Sequence, residues 1–167
     1  MTTNYADADW VTIRQMKPGE ERRVSELIID LFKRYIAADY PRAGIRDFLY
    51  YASPEAIAER VARDHVVLVA VDRTTIVGAI DIDDFHHFDL LFVDDRYRGR
   101  GLARRLVDRA TELCLEERPA LKEITADTST YGIPLFHALG FAQVGTQQEE
   151  HGRQFVRMRR KLTGRAR

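Results

Sequence analysis

The chain has 167 residues, 45% of them hydrophobic and 31% charged, with no net charge. That is enough apolar material to bury one ordinary core and too much for a disordered chain. No apolar run approaches the ~20 residues that cross a bilayer, and the polar start lacks a basic-then-apolar signal pattern. The lone cysteine, Cys114, has no partner for an internal disulfide, so a cytoplasmic protein is expected. Charge is uneven along the chain: residues 39–95 carry 12 acids against 5 bases, and residues 151–167 carry 7 Lys or Arg and no acid. A general nucleic-acid binder is basic overall, so none is expected. The acidic middle suits a cationic partner, and the arginines between Arg96 and Arg109 suit an anion.

Residues 10–15 alternate like a short strand. Beyond Pro18-Gly19, the spacing of Val24, Leu27, Ile28, Leu31, Tyr35 and Ile36 predicts an amphipathic helix over 20–37. Residues 39–44 read as a turn-rich loop. Ser53-Pro54-Glu55 opens a second helix with a capping hydroxyl, a proline at the first position and an acid in the first turn; that helix runs to about residue 64. Residues 65–71 are β-branched and nearly all apolar, as in a strand covered on both faces, and strands follow over 76–83 and 88–93. A helix over 101–117 places Leu102, Leu106, Ala110, Leu113 and Cys114 on one stripe. A strand over 123–128, a helix over 131–139 capped by Gly140, and a hairpin of 141–146 with 155–162 complete the order. This β-α-α-β-β-β-α-β-α-β-β series predicts an α+β domain over 1–162, with helices on both faces of a mixed sheet. Residues 163–167 form a basic tail.

The most informative stretch joins Leu90-Leu-Phe-Val-Asp-Asp to Arg96-Tyr-Arg-Gly-Arg-Gly and then to a helix. Glycines let backbone N–H groups approach phosphate oxygens, and a helix start adds unpaired donors and positive potential. Arg96, Arg98, Arg100, Arg104 and Arg105 add charge nearby. The Gly-Lys-Ser/Thr of a P-loop is missing, and Arg104 stands where a dinucleotide fingerprint needs a small residue.

This segment resembles the Arg/Gln-x-x-Gly-x-Gly/Ala signature of the GCN5-related N-acetyltransferases (GNAT). Tyr131-Gly-Ile-Pro-Leu-Phe-His-Ala-Leu-Gly-Phe141 is similar to the family's later helix, which commonly ends Tyr-x-x-x-Gly-Phe. The resemblance implies a layered fold around a mostly antiparallel sheet whose two central strands splay to admit a thioester. It implies acetyl-CoA as cosubstrate; no metal is expected, because His86, His87, His137 and His151 lack metal-site spacing. The pyrophosphate would sit on the amides of Arg98, Gly99, Arg100, Gly101, Leu102 and Ala103, beside Arg96. The pantetheine arm would run along Phe92 and Val93, and Ser129 stands where the family often has an asparagine near the cofactor. A homodimer is within the family's habits.

Acetyl transfer needs a neutral amine, a stabilised oxyanion and a leaving thiolate. An amine of pKa near ~10.4 gains from a base, and a backbone N–H near Val93 suits the oxyanion. Strand alternation sets Phe88, Leu90 and Phe92 on one face and His87, Asp89, Leu91 and Val93 on the other. His87 and Asp89, close to Asp81 and Asp83, are therefore the candidate catalytic groups. The family's leaving-group tyrosine is replaced here by Phe136, which has no proton to donate. Tyr131 and His137 are poorly placed to substitute, and Tyr50-Tyr51 could line the substrate mouth. The expected function is acetyl transfer from acetyl-CoA to an amine by direct attack. The alternative is an acyl-CoA-binding sensor, which Phe136 keeps open.

Overall fold

The computed structural model describes residues 10–150 and 152–163. The basic tail expected after Thr163, and His151 in the expected hairpin turn, lie outside the described residues. Seven strands form one sheet in the order β1-β2-β3-β4-β5-β7-β6. They are β1 Thr12–Gln15, β2 His65–Asp72, β3 Thr75–Asp83, β4 His87–Val93, β5 Glu123–Thr128, β6 Ala142–Glu150 and β7 Arg153–Lys161. Every neighbouring pair is antiparallel except β4 with β5. The five helices are α1 Glu21–Tyr35, α2 Arg42–Tyr51, α3 Pro54–Val61, α4 Leu102–Glu117 and α5 Ile133–Ala138. Among the described residues, no helix is long and apolar enough to cross a membrane.

The expected layering holds. One core lies between the sheet and α4 with α5, built on Leu102, Leu106, Ala110, Phe88, Ile124 and Met158. A second lies on the opposite face under α1 to α3, built on Val24, Ile28, Phe32, Phe48, Ile57 and Val69. The Ser53 cap forms as predicted, its hydroxyl accepting from the Ala56 N–H at 3.2 Å. Cys114 is fully buried on the α4 stripe, and burial pushes its thiol up to about 12, so it is packing rather than a nucleophile.

Two expectations fail. The loop expected over 39–44 gives way to α2 from Arg42 onward. Pro41 and Gly44 read as turn signals in isolation, but Pro41 is the N-cap of α2 and Gly44 is buried at a contact. The alternation expected along β4 also breaks. Asp81 pairs Leu90 while Ile82 pairs Phe88, so Asp89 is the extra residue of a β-bulge. Beyond it the faces exchange: Phe88, Leu91 and Val93 belong to the α4 core, whereas Leu90 and Phe92 belong to the α1–α3 core.

Gly44 fastens α2 to the tip of the β6–β7 hairpin. A Cβ at Gly44 would lie 2.0 Å from the Gly152 carbonyl oxygen, a backbone atom with little room to yield. In a free helix alanine is favoured over glycine by about 1 kcal/mol, so the sign of a substitution here is diagnostic. Gly44→Ala is expected to destabilise by about 1–3 kcal/mol, read as a lower urea midpoint. An unchanged or raised midpoint would mean that α2 and the hairpin do not press together.

Candidate active site

β4 and β5 pair only at His87 with Thr125 and at Phe88 with Ala126. Past that point they diverge, and the gap opens into a cleft of about 600 Å³. One wall is Asp89 to Val93 of β4, the other Asp127 to Ser129 at the end of β5, and the floor is the start of α4. Phe32, Tyr40 and Phe48 close the far side together with the first residues of β7. The Tyr40 hydroxyl reaches across to the Gln154 carbonyl at 2.5 Å.

At the base of the fork sits a buried charge network. His87 Nε2 lies 3.2 Å from Asp89 Oδ1 and 3.2 Å from Asp127 Oδ2, and Nδ1 lies 2.6 Å from Thr125 Oγ1. Burial opposes a charged imidazole, but the hydrogen bonds and charges of Asp127 and Asp89 outweigh it and raise His87 to about 9. Burial likewise opposes the Asp89 carboxylate, yet hydrogen bonds from His87 and Tyr51 bring it to about 2. Asp127 is lowered against its burial by His87 and by Arg157, whose Nε donates at 2.8 Å. Behind them, His65 Nδ1 meets Asp81 at 2.6 Å, and Arg60 meets the same carboxylate at 3.2 Å. Donor atoms in two groups, His87 with Asp89 and Asp127, and His65 with Asp64 and Asp83, lie within 4.8 Å of one another, a spacing open to a metal ion. In the first group Nε2 lies within hydrogen-bonding distance of both carboxylates.

At the other end, Gly99 and Gly101 adopt φ of 71° and 75°, the left-handed region that favours glycine. A Cβ on either would meet nothing within 4 Å, so the backbone fronts open space. The first N–H groups of α4 have no partner within the helix. Arg98 stacks on Tyr35 at 4.4 Å and donates to the Tyr131 hydroxyl at 2.6 Å.

The chain that folds into this forked pair of strands above a glycine-turned helix start matches a family model. The acetyltransferase (GNAT) domain covers residues 36–162. The chain belongs to the GNAT acetyltransferase family. It is 27% identical over 143 residues to the uncharacterized N-acetyltransferase YafP of Escherichia coli (strain K12), covering 84% of this chain and 87% of that one. Among solved structures it is similar to a PaiA N-acetyltransferase from Thermoplasma acidophilum in complex with coenzyme A. There the TM-score is 0.75 at 18% identity, over 91% of this chain and 99% of that one. It is also similar to an aminoglycoside 6'-N-acetyltransferase complexed with coenzyme A, with TM-score 0.65 and 15% identity, over 93% and 99% of the two chains. At these identities the structural likeness speaks for the fold; the family match makes the protein an N-acetyltransferase.

Within this GNAT frame, Asp89, Phe92, Val93, Arg98, Gly99, Gly101, Leu102, Ala103 and Ser129 line the cleft. Three predicted residues do not. His87 stands behind the wall, 7% exposed and holding its proton between two carboxylates, so it is not the open base the strand alternation suggested. Arg96 folds back on Asp94 at 2.8 Å, and Arg100 lies over Trp10 and Tyr97. Asp127 went unnoticed in the sequence, although alternation along β5 sets it on the face of Thr125, opposite buried Ile124 and Ala126.

The network has a definite pH signature. A raised histidine contributes stability fully below its ordinary 6.5, and the contribution is lost as pH climbs through about 9. Lowered Asp89 contributes above 3.8 and loses its share as pH falls toward about 2. At pH 7.5 an ordinary imidazole is mostly neutral. Nitrogen NMR at that pH is expected to show both ring nitrogens of His87 protonated, and a neutral ring would contradict the fork described above.

Proposed function

We propose that this cleft binds acetyl-CoA and passes its acetyl group to an amine by direct attack in a ternary complex. The observation that carries the reading is the β4–β5 fork opening directly above the start of α4. Acetyl-CoA supplies an activated thioester, and the residues around it have separable tasks. Backbone N–H groups from Arg98 to Ala103 hold the pyrophosphate, because the left-handed glycines and the free helix start leave donors facing open space. Arg98 and Arg104 line that end and add charge. Arg96 and Arg100 contribute only to the wider positive field.

Past Phe88, β4 has lost its β5 partner, so its alternate N–H and C=O groups face the cleft. Phe92 and Val93 hold the pantetheine arm along that edge, with Ser129 on the opposing wall, and an N–H near Val93 stabilises the oxyanion. Asp89 and Asp127 receive the amine. Asp89, near 2, and Asp127, held below its usual range by His87 and Arg157, are weak bases, so their task is to hold and orient the nitrogen while its proton leaves to water. His87 is a positioning residue that keeps both carboxylates at the fork. Phe136 is 4% exposed and edge-on to Phe141 at 5.3 Å. It offers no acid, so the sulfur departs as a thiolate, which a thiol of pKa near ~8.5 tolerates. The buried lone thiol of Cys114 supports a cytoplasmic setting.

Release of free thiol from acetyl-CoA across a panel of amines tests the proposal. Turnover with at least one amine is expected, and tight acetyl-CoA binding without any turnover would instead favour a sensor. Ala103→Glu separates binding from folding, since an acid in the first helical turn stabilises the helix but repels a pyrophosphate. Calorimetry is expected to show acetyl-CoA affinity lowered at least about tenfold, worth ~1.4 kcal/mol, with the melting temperature unchanged. Equal affinity would place the phosphates elsewhere. Asp89→Asn is expected to lower kcat/KM for the amine by about 10–100-fold at constant acetyl-CoA affinity, and an unaltered rate would remove Asp89 from the acceptor site.

A further inference from the structure

We infer that the acceptor is a free α-amino acid with an apolar side chain, its carboxylate held by Arg153 and its amino group by Asp89. This rests on the acetyl-transfer reading of the cleft. Arg153 opens β7 and lines the acceptor end. Its contacts are a loose ion pair to Asp47 at 3.8 Å and the face of Tyr51, 4.5 Å from the ring centre. Among the described residues its guanidinium makes no hydrogen bond, so five N–H donors in a planar fork remain for a ligand. The other two arginines that line the cleft are committed: Arg98 donates to the Tyr131 hydroxyl at 2.6 Å and Arg104 to the Ala138 carbonyl at 2.9 Å.

Tyr51 sets the spacing between the two acceptor groups. Its hydroxyl donates to Asp89 while Arg153 lies over its ring, so carboxylate and guanidinium stand about one phenol apart. An amino group and a carboxylate on one carbon, each making a hydrogen bond of about 2.8 Å, bridge a gap of that size. The side chain on the same carbon then meets aromatic surface. Phe32 stacks on Phe48 at 3.9 Å, Tyr40 stands edge-on to Phe32 at 5.3 Å, and all three line the cleft with Phe155.

The same charges argue against a polycation. Asp89 is matched by His87 and Tyr51, Asp127 by His87 and Arg157, and Asp81 by Arg60 and His65. Among the described residues that line the cleft the carboxylates are Asp89 and Asp127, both at the fork where the amino group is received, so none stands farther along the cleft to hold a second ammonium. In the reaction the ammonium of the amino acid gives one proton to water, and its nitrogen bonds to the thioester carbonyl carbon. The carbon–sulfur bond breaks with its electron pair on sulfur, and a second nitrogen proton ends on that sulfur. The products are the N-acetyl amino acid, coenzyme A and one proton.

The test compares L-leucine and L-phenylalanine with 3-methylbutylamine and 2-phenylethylamine, the same side chains without the carboxylate, and with spermidine. Thiol release is measured on the whole chain alongside calorimetry of acetyl-CoA. The amino acids are expected to exceed their decarboxylated counterparts by at least about tenfold in kcat/KM, the scale of a charge-assisted bidentate contact. Arg153→Ala is expected to raise KM for the amino acids about 10–100-fold and erase that preference, with acetyl-CoA affinity unchanged and partial recovery in Arg153→Lys. Equal rates for the two series in the wild type, no turnover of either amino acid, best turnover with spermidine, or an unmoved KM in Arg153→Ala would each overturn the inference. Acetyl-CoA binding and turnover of other amines alongside such a result would leave the acetyl-transfer reading standing. Failure of the wild type to bind acetyl-CoA would overturn both.

Discussion

One imidazole set between two carboxylates governs the centre of this molecule. Two aspartates converge at the point where β4 and β5 part, and unscreened carboxylates that close and that buried would repel or take up a proton. His87 resolves the conflict with a single N–H, 3.2 Å from each. The arrangement is asymmetric in its supports, Tyr51 on the Asp89 side and Arg157 on the Asp127 side. Burying charge is costly unless each group is fully matched, and here each carboxylate has at least two partners. Losing the histidine would therefore cost more than its own contacts, because two anions would remain behind without their common cation. The network thus joins strand separation to site chemistry: the same side chain that fastens the fork sets the carboxylates facing the cleft.

The bulge at Asp89 is the geometric half of that device. Without the extra residue, Phe88, Leu90 and Phe92 would share a face, and the strand could not give Phe88 to the α4 core while giving Leu90 and Phe92 to the opposite one. By exchanging faces in mid-strand, β4 keeps Phe88 fully buried below the fork and turns Leu90 and Phe92 toward the cleft above it. Bulges re-aim side chains where pairing ends, and here the bulge lies one residue past the last β4–β5 pair.

Much of this was legible from local rules. The Ser53 cap, the α4 stripe and the glycine turn at 99–101 each rest on short-range chemistry that tertiary contacts reinforce. What escaped depends on contacts between distant segments. Gly44 reads as a breaker until Gly152, more than a hundred residues later, is found against it. The β4 alternation failed because a bulge is set by the partner strand's register and leaves no mark in the sequence of β4. Asp127 and Arg153 are ordinary charged residues in strands until the sheet order sets β5 beside β4 and β7 beside β5. His87 was found, but its burial between two carboxylates was not, because those partners come from different strands.

The cleft divides along the same line. The half proposed for the cofactor is made of backbone, from the open edge of β4 to the amides before α4, and backbone donors are indifferent to most substitutions. The half proposed for the acceptor is made of side chains: Asp89 and Asp127 at the fork, and residues of α1, α2 and β7 that are joined through Tyr40 to Gln154 and through Gly44 to Gly152. On the proposed reading, substitutions there are expected to change the acceptor without disturbing how the acyl donor is held. The phosphate signature was therefore the readable motif in this chain, since its glycines answer to a backbone requirement. Arg153 belongs to no such motif, and it stood out only through the guanidinium that the fold leaves without a hydrogen-bond partner among the described residues.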